Sequence, residues 1–230
     1  FNEKSMTYYG RWTYKYEEAA RQGAACAVII HETEPAAYGW DVVQNGWTGP
    51  NFSLASEDGN AARCAVESWI TLESAQAVFD AAGEDYEELK KRAAEPGFKP
   101  LPLALKASLE MENKTRKALS RNVIGLLPGS DLKDEYIIYT AHWDHFGKNP
   151  KLEGDQIFNG ALDNATGTAA LIELAEAFKK LDLPLRRSIL FLAVTAEEQG
   201  LLGSEYYAVN PIYPLTKTAA VINMDSLNIY

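Results

Sequence analysis

Three short apolar runs in the second half of the chain, each ending at a side chain able to hold a metal, constrain the fold more than any other feature. Tyr136–Ala141 leads into His142, with Asp144 two residues on. Ile189–Val194 leads through Thr195 and Ala196 into the adjacent Glu197 and Glu198, and Ala219–Met224 leads into Asp225. Between the first and second runs, Asn159–Asn164 opens a helical segment and carries Asp163. Apolar runs of this length separated by helices read as buried parallel strands. In open α/β sheets, sites form beyond the carboxyl ends of the strands. The pattern therefore predicts an α/β fold, with a mixed, mainly parallel sheet flanked by helices, that brings one imidazole and several carboxylates to a single sheet edge.

At 230 residues and 47% hydrophobic, the chain can bury one large or two small cores. Its net charge of −10 argues against nucleic acid or an anionic membrane surface as a partner. No apolar stretch approaches the roughly 20 residues of a membrane span. The chain opens on Phe1 with no signal-like segment, and reads as a piece of a longer polypeptide. Cys26 and Cys64 read as free thiols or as one disulfide, a choice that two cysteines without a C-x-x-C spacing leave open. Of the sequons at Asn51, Asn113 and Asn164, the last adjoins the proposed site, where a glycan would not fit.

Thr13–Gln22 reads as a helix stopped by Gly23, and Ala24–Ile30 as a strand. Residues 34–60, rich in Gly, Pro and Asn, read as long irregular loops. Ser68–Ile70 is a short strand, Thr71 caps a helix through Ala82, and a charged helix covers Glu84 to about Ala94. Glu95-Pro96-Gly97 and Lys99-Pro100 then interrupt the chain and place a domain boundary near residue 98, dividing it into 1–98 and 99–230. Leu103–Met111 and Arg121–Leu127 read as extended, the latter pairing antiparallel with the strand at Tyr136 across the turn Pro128–Asp131. Thr166–Leu181 is a clear amphipathic helix, and Ser188–Val194, Leu201–Val209 and Ala219–Asn223 continue the α/β alternation.

Taken singly, each candidate has an ordinary explanation: an Asp before a helix caps it, and a Glu-Glu pair is usually a solvated surface. Together they suit two zinc ions about 3.5–4 Å apart. Asp163 can offer one oxygen to each metal, His142 an imidazole, and Asp144 a partner behind that imidazole. Neighbouring side chains diverge, so one of Glu197 and Glu198 can ligate while the other acts as general base. Asp225 completes the first metal.

The run Asn122–Gly125, the His142-Trp143-Asp144-His145 segment, Gly160–Gly167, Ala196–Ser204 and Asn223-Met224-Asp225 together resemble the di-zinc aminopeptidase family. That family includes glutamate-carboxypeptidase-like enzymes and the catalytically silent transferrin receptor. The resemblance covers about residues 120–230. It implies that His142, Asp163 and Asp225 bind one zinc, that Asp163 and Glu198 bind the other, that Glu197 is the base, and that Asp144 stands behind His142. It implies a cis peptide between Asp163 and Asn164. It also makes the first hundred residues similar to a protease-associated insert, a small β-rich lid domain without its opening strands. The family's second zinc takes a further His, and none of the remaining histidines stands at that place in the pattern. His31 reads as structural and His145 as a rim or supporting residue.

The function implied is a zinc exopeptidase acting on peptides, most simply an aminopeptidase. A carboxypeptidase or dipeptidase on the same fold is the alternative, as is a receptor-like ectodomain without catalysis. The intact set Asp163, Glu197, Glu198 and Asp225 argues against the last. With two protein ligands at the second zinc, the expectation is that this chain alone holds at most one zinc tightly and lacks peptidase activity. Relatives with such an insert imply a secreted or periplasmic location.

Overall fold

The computed structural model describes residues 7–228, so residues 1–6 of the first expected domain and 229–230 of the second lie outside the described residues. The chain divides into two compact units, one formed by residues 1–50 and 55–115 and the other by 51–54 and 116–230. Among the described residues no helix is long and apolar enough to cross a membrane.

The first unit contains α1 (Trp12–Arg21), β1 (Cys26–His31), α2 (Thr33–Ala36), α3 (Trp40–Trp47), β2 (Val66–Thr71), α4 (Leu72–Ala81) and α5 (Tyr86–Ala93). Gly23 takes φ +77 just past α1, the left-handed turn that only glycine makes without strain. The Thr71 side chain accepts from the Ser74 N–H and caps α4, and Asp85 caps α5 in the same way. Strands β1 and β2 pair in parallel, Cys26 opposite Val66 through His31 opposite Thr71. The resemblance led to a β-rich unit, and the described residues form this one two-stranded sheet packed with helices. The loop reading of residues 34–60 is corrected by α2 and α3. In α3, Trp40, Val43 and Trp47 fall at helical spacing and Val43 is buried, a period masked in the sequence by the surrounding Gly and Pro. Residues 103–111 form no strand. Cys26 is exposed, Cys64 is buried, and both are free thiols.

The second unit holds β3 (Val123–Leu127), β4 (Leu132–His142), a ribbon of β5 (Gly147–Lys148) and β6 (Ile157–Phe158), then α6 (Thr166–Lys179), β7 (Arg187–Val194), α7 (Leu202–Val209) and β8 (Thr218–Asn223). Its main sheet has the order β3-β7-β4-β8. The last three strands are mutually parallel, so His142, the residues after Val194 and those after Asn223 leave the sheet at one edge. Alternate residues face opposite sides of this sheet. Ile138, Leu190, Leu192 and Val194 bury against Tyr207 of α7. Tyr139, Ala141, Phe191 and Ala193 meet Leu171 and Leu174 of α6 on the other face.

One pairing differs from the sequence reading. β3 is antiparallel to β7 and not to β4. The reason lies in the turn after β3, which wraps the start of β7. The Ser130 N–H donates to Leu185 O at 2.8 Å and the Leu132 N–H to Arg186 O at 3.0 Å. Gly129 allows the approach, since a Cβ there would stand 2.4 Å from the Arg186 carbonyl oxygen. The turn is thereby wide enough to admit a whole strand between β3 and β4.

Candidate metal centre

His142 ends β4 and is almost fully buried. Its carbonyl oxygen accepts from the Thr168 hydroxyl at 3.0 Å, which ties the strand end to α6. Its Nδ1 lies 3.1 Å from the Asp144 carbonyl oxygen, which can only accept, so Nδ1 carries the proton and Nε2 a lone pair. That Nε2 lies 2.8 Å from Asp163 Oδ1, 3.6 Å from Asp225 Oδ1 and 3.9 Å from Glu197 Oε2. Despite the short contact, neither Nε2 nor Asp163 Oδ1 makes a hydrogen bond, and both atoms are buried. With the imidazole neutral, two lone-pair atoms converge here without a proton between them, an arrangement costly to bury that either a proton on Nε2 or a metal cation relieves. The donor set therefore fits a metal.

Asp163 sits in a single wide turn, Ala161–Ala165, entered through Gly160 at φ +64. Asp163 and Asn164 leave helical geometry there, and the peptide between them is cis. Asn164, buried as its place in the cluster required, anchors the turn. Its amide nitrogen donates to Met224 O at 2.9 Å, and its amide oxygen accepts from the Gly167 N–H at 3.0 Å and the Ser226 N–H at 3.3 Å. One side chain thus fixes Asp163 relative to Asp225. Gly167 permits this, because a Cβ there would lie 2.5 Å from that amide oxygen.

The Glu197-Glu198 pair follows β7 through Ala196, which takes φ +52. The Asn122 side chain holds the approach, accepting from the Thr195 N–H at 3.1 Å and donating to Gly203 O at 2.8 Å. The Asp144 carboxylate accepts from the Glu197 N–H at 3.0 Å and from the Glu198 N–H at 3.3 Å. Asp144 therefore orients His142 through its main-chain carbonyl, with its carboxylate 3.8 Å from Nδ1, and the carboxylate instead fixes the glutamate pair. The two side chains diverge, Glu197 toward His142 and Glu198 to within 2.6 Å of His145 Nδ1.

Among the described residues, ligand atoms within 4.8 Å of one another form three sets: His142 with Asp163 and Asp225, His145 with Asp163 and Glu198, and His142 with Glu197 and Glu198. The first two share Asp163. Burial is the largest influence on Glu197 and raises its carboxyl pKa; His142 opposes this, while Glu198, Asp225 and Asp144 add to it, and the net shift is upward. Burial alone would lower the His142 pKa, but Glu197, the Asp144 carbonyl and the Asp225 and Asp144 carboxylates outweigh it and the imidazole is pushed up. A pocket of about 350 Å³ lies beside the cluster, lined among others by Trp143, Asp144, His145, Gly160 and Ile172.

All six residues singled out from the sequence, His142, Asp144, Asp163, Glu197, Glu198 and Asp225, meet at this one edge. The anchoring roles of Asn122, Asn164 and Thr168 were not read from it. Their signal was available only as Asn or Thr within a few residues of a ligand. His31 belongs to the first unit, where its buried ring packs 5.3 Å from Tyr38 and 5.9 Å from Trp40.

Residues 122–230 match the model of peptidase family M28. The chain is 33% identical over 138 residues to aminopeptidase NAALADL1 of Mus musculus, a match covering 56% of this chain and 17% of that protein. It is 36% identical over 104 residues to a probable zinc metalloprotease of Pyrenophora teres, covering 45% of this chain and 22% of the relative. It is 34% identical over 127 residues to the glutamate carboxypeptidase 2 homolog of Caenorhabditis elegans, covering 53% of this chain and 15% of the relative. The chain thus spans less than a quarter of the length of each of these curated relatives.

Proposed function

We propose that residues 122–230, which match the model of peptidase family M28, form the catalytic part of a zinc-dependent exopeptidase, an aminopeptidase that removes N-terminal residues from peptides. The observation that carries this is the shared carboxylate: Asp163 stands in two separate ligand sets, with Glu197 beside them and outside both. His142, Asp163 and Asp225 would hold one zinc, and Asp163 with Glu198 would hold the other. When bound, zinc supplies a Lewis acid that polarises a carbonyl and makes water more acidic. Glu197 takes and returns a proton at its carboxylate. Its carboxylate suits that task by position, 3.9 Å from His142 Nε2 and outside both sets that share Asp163. Asp144 holds that carboxylate in place through the N–H groups of Glu197 and Glu198. The resemblance supports two further parts of the reading: residues 1–98 as a protease-associated domain, and an exported location.

The name of the Caenorhabditis relative favours a second reading, a carboxypeptidase on the same metal set. Amino-acid anilides and N-acylated dipeptides, offered to the full-length protein with and without a chelator, separate the two. Chelator-sensitive release from the anilides alone is expected. Release from the acylated dipeptides alone selects the carboxypeptidase, and turnover indifferent to chelator removes both. In the same assay Glu197→Gln should lower the rate by about 10²–10⁴-fold with metal content kept, while Glu198→Gln should lose metal. The reverse pattern would exchange the two roles.

A further inference from the structure

We propose that the first unit carries a binding site for an organic cation, the guanidinium or ammonium of a basic peptide side chain, in the cavity that His31 and Trp40 line. Strands β1 and β2 run parallel and end opposite one another at His31 and Thr71. A cavity of about 420 Å³ opens at that edge, where α2 and α4 begin, lined among others by His31, Glu34, Trp40, Glu73 and Lys90. Its size is that of an ordinary small-ligand site, and the carboxyl ends of parallel strands are where such sites form. All of these residues belong to the first unit, and none of them to the metal centre.

Two independent observations identify the kind of occupant. The first is the His31 ring, which the sequence suggested was merely structural. It is 4% exposed, and neither of its nitrogens makes a hydrogen bond. The rings of Tyr38, Trp40 and Trp69 surround it, with centroids 5.3, 5.9 and 6.5 Å away. A neutral imidazole offers one lone pair, and a buried lone pair calls for a donor. Among the described residues no set of three metal-holding side chains includes His31, which favours an N–H donor over a metal ion. The second observation is charge. Glu32, Glu34 and Glu73 line the cavity, and among the lining residues Lys90 alone is a lysine or arginine. Lys90 is bonded to Glu32, which also accepts from the Tyr86 hydroxyl at 2.9 Å. Glu34 and Glu73 are thus in excess, and both are exposed at the rim. Trp40 adds an aromatic face, on which a guanidinium stacks and to which an ammonium is attracted. An anion would meet two unbalanced carboxylates, and an apolar group would leave the imidazole lone pair unmet.

Acetyl-alanyl-arginyl-alanine amide and its lysine and citrulline counterparts test this on the 230-residue chain with a chelator present. The blocked ends deny an exopeptidase its terminus and the chelator removes metal, so a negative result leaves the peptidase reading standing. Binding is read from the NMR signal of the His31 ring, identified among the three histidines by its contacts with Tyr38, Trp40 and Trp69. The arginine and lysine peptides should shift that signal saturably, and the tighter of the two names the source of the cation. The citrulline peptide, of the same shape as arginine but uncharged, should bind at least about 10-fold more weakly. Glu34→Gln combined with Glu73→Gln changes two exposed side chains and should weaken the better basic peptide about 3–10-fold. Added salt should weaken it in the same direction. Equal affinity for the citrulline peptide, saturation without a shift at His31, unchanged binding in the double variant, or no saturable binding of either basic peptide overturns the assignment. The citrulline comparison in the unaltered chain decides the matter even if the variant does not fold.

Discussion

Asn164 shows how much of this centre depends on a residue that does no chemistry. Its amide joins three main-chain groups, Met224 O, the Gly167 N–H and the Ser226 N–H, and so sets the distance between Asp163 and Asp225. Asn164→Asp replaces the donor with an acceptor facing the Met224 carbonyl, at a buried position. We expect a loss of about 1–3 kcal/mol in stability, the usual cost of a buried group left unsatisfied, together with weaker binding at the His142–Asp163–Asp225 set. Urea unfolding and a metal titration would measure both, and unchanged values would show that the turn holds itself. The six charged or imidazole side chains of the site were legible in the sequence because each follows an apolar run or opens a helix. Asn164 was legible only as a member of a motif and as a sequon, because an amide's role depends on which distant carbonyls it meets.

At the scale of elements, β4, β7 and β8 could be read directly, since buried parallel strands declare themselves as unbroken apolar runs. The partner of β3 could not, because it is set by Ser130 and Leu132 bonding to residues more than 50 positions away. Hairpin logic assumes that a short turn joins neighbours; here the turn spans an inserted strand. The link from β7 to α7 is equally non-local. Gly203 opens α7 against the end of β7, and a Cβ there would stand 2.3 Å from Thr195 O and 2.7 Å from the Asn122 side chain. Gly203→Ala must therefore push apart the segment that carries Glu197 and Glu198. Its expected cost is about 1–3 kcal/mol, as for other overpacked sites, with metal affinity falling in parallel. Gly125 of β3 is the control, because the nearest atom a Cβ would meet there is 3.9 Å away. Gly125→Ala should leave the urea midpoint and metal binding unchanged. Equal effects from the two substitutions would place the constraint elsewhere.

For the whole molecule, the sequence placed a boundary near residue 98 because Pro and Gly cluster there, whereas the two compact units meet at 115/116. Residues 95–122 carry no helix or strand, so composition marks where regular structure stops and contacts mark where the next unit begins. Each unit has its own buried residues and its own ionic chemistry, which allows the two to be addressed separately. Among the described residues, the side-chain groups able to hold a metal all lie in the second. At a free zinc concentration of 100 times Kd it adds about 2.7 kcal/mol to the stability of whatever binds it, and the thermal midpoint of that unit should rise by several degrees. Four of the five tryptophans, Trp12, Trp40, Trp47 and Trp69, lie in the first unit, so indole fluorescence reports mainly on the other transition, which zinc should leave in place. Acid should act the opposite way. In the first unit Lys90, and then Tyr86, hold the Glu32 carboxyl below its ordinary range by bonding to its charged form. A depressed carboxyl contributes stability that is fully present above its unfolded pKa, about 4.3, and is lost as pH falls through the lower folded value. Glu32→Gln should remove that part of the acid-induced loss from the fluorescence transition, an effect of about 0.2–1 kcal/mol for a pair whose lysine is partly exposed. It should not alter the response to zinc. Zinc that moved the fluorescence transition as far as the calorimetric one, or a Glu32→Gln change that altered metal stabilisation, would show the units unfolding as a single body.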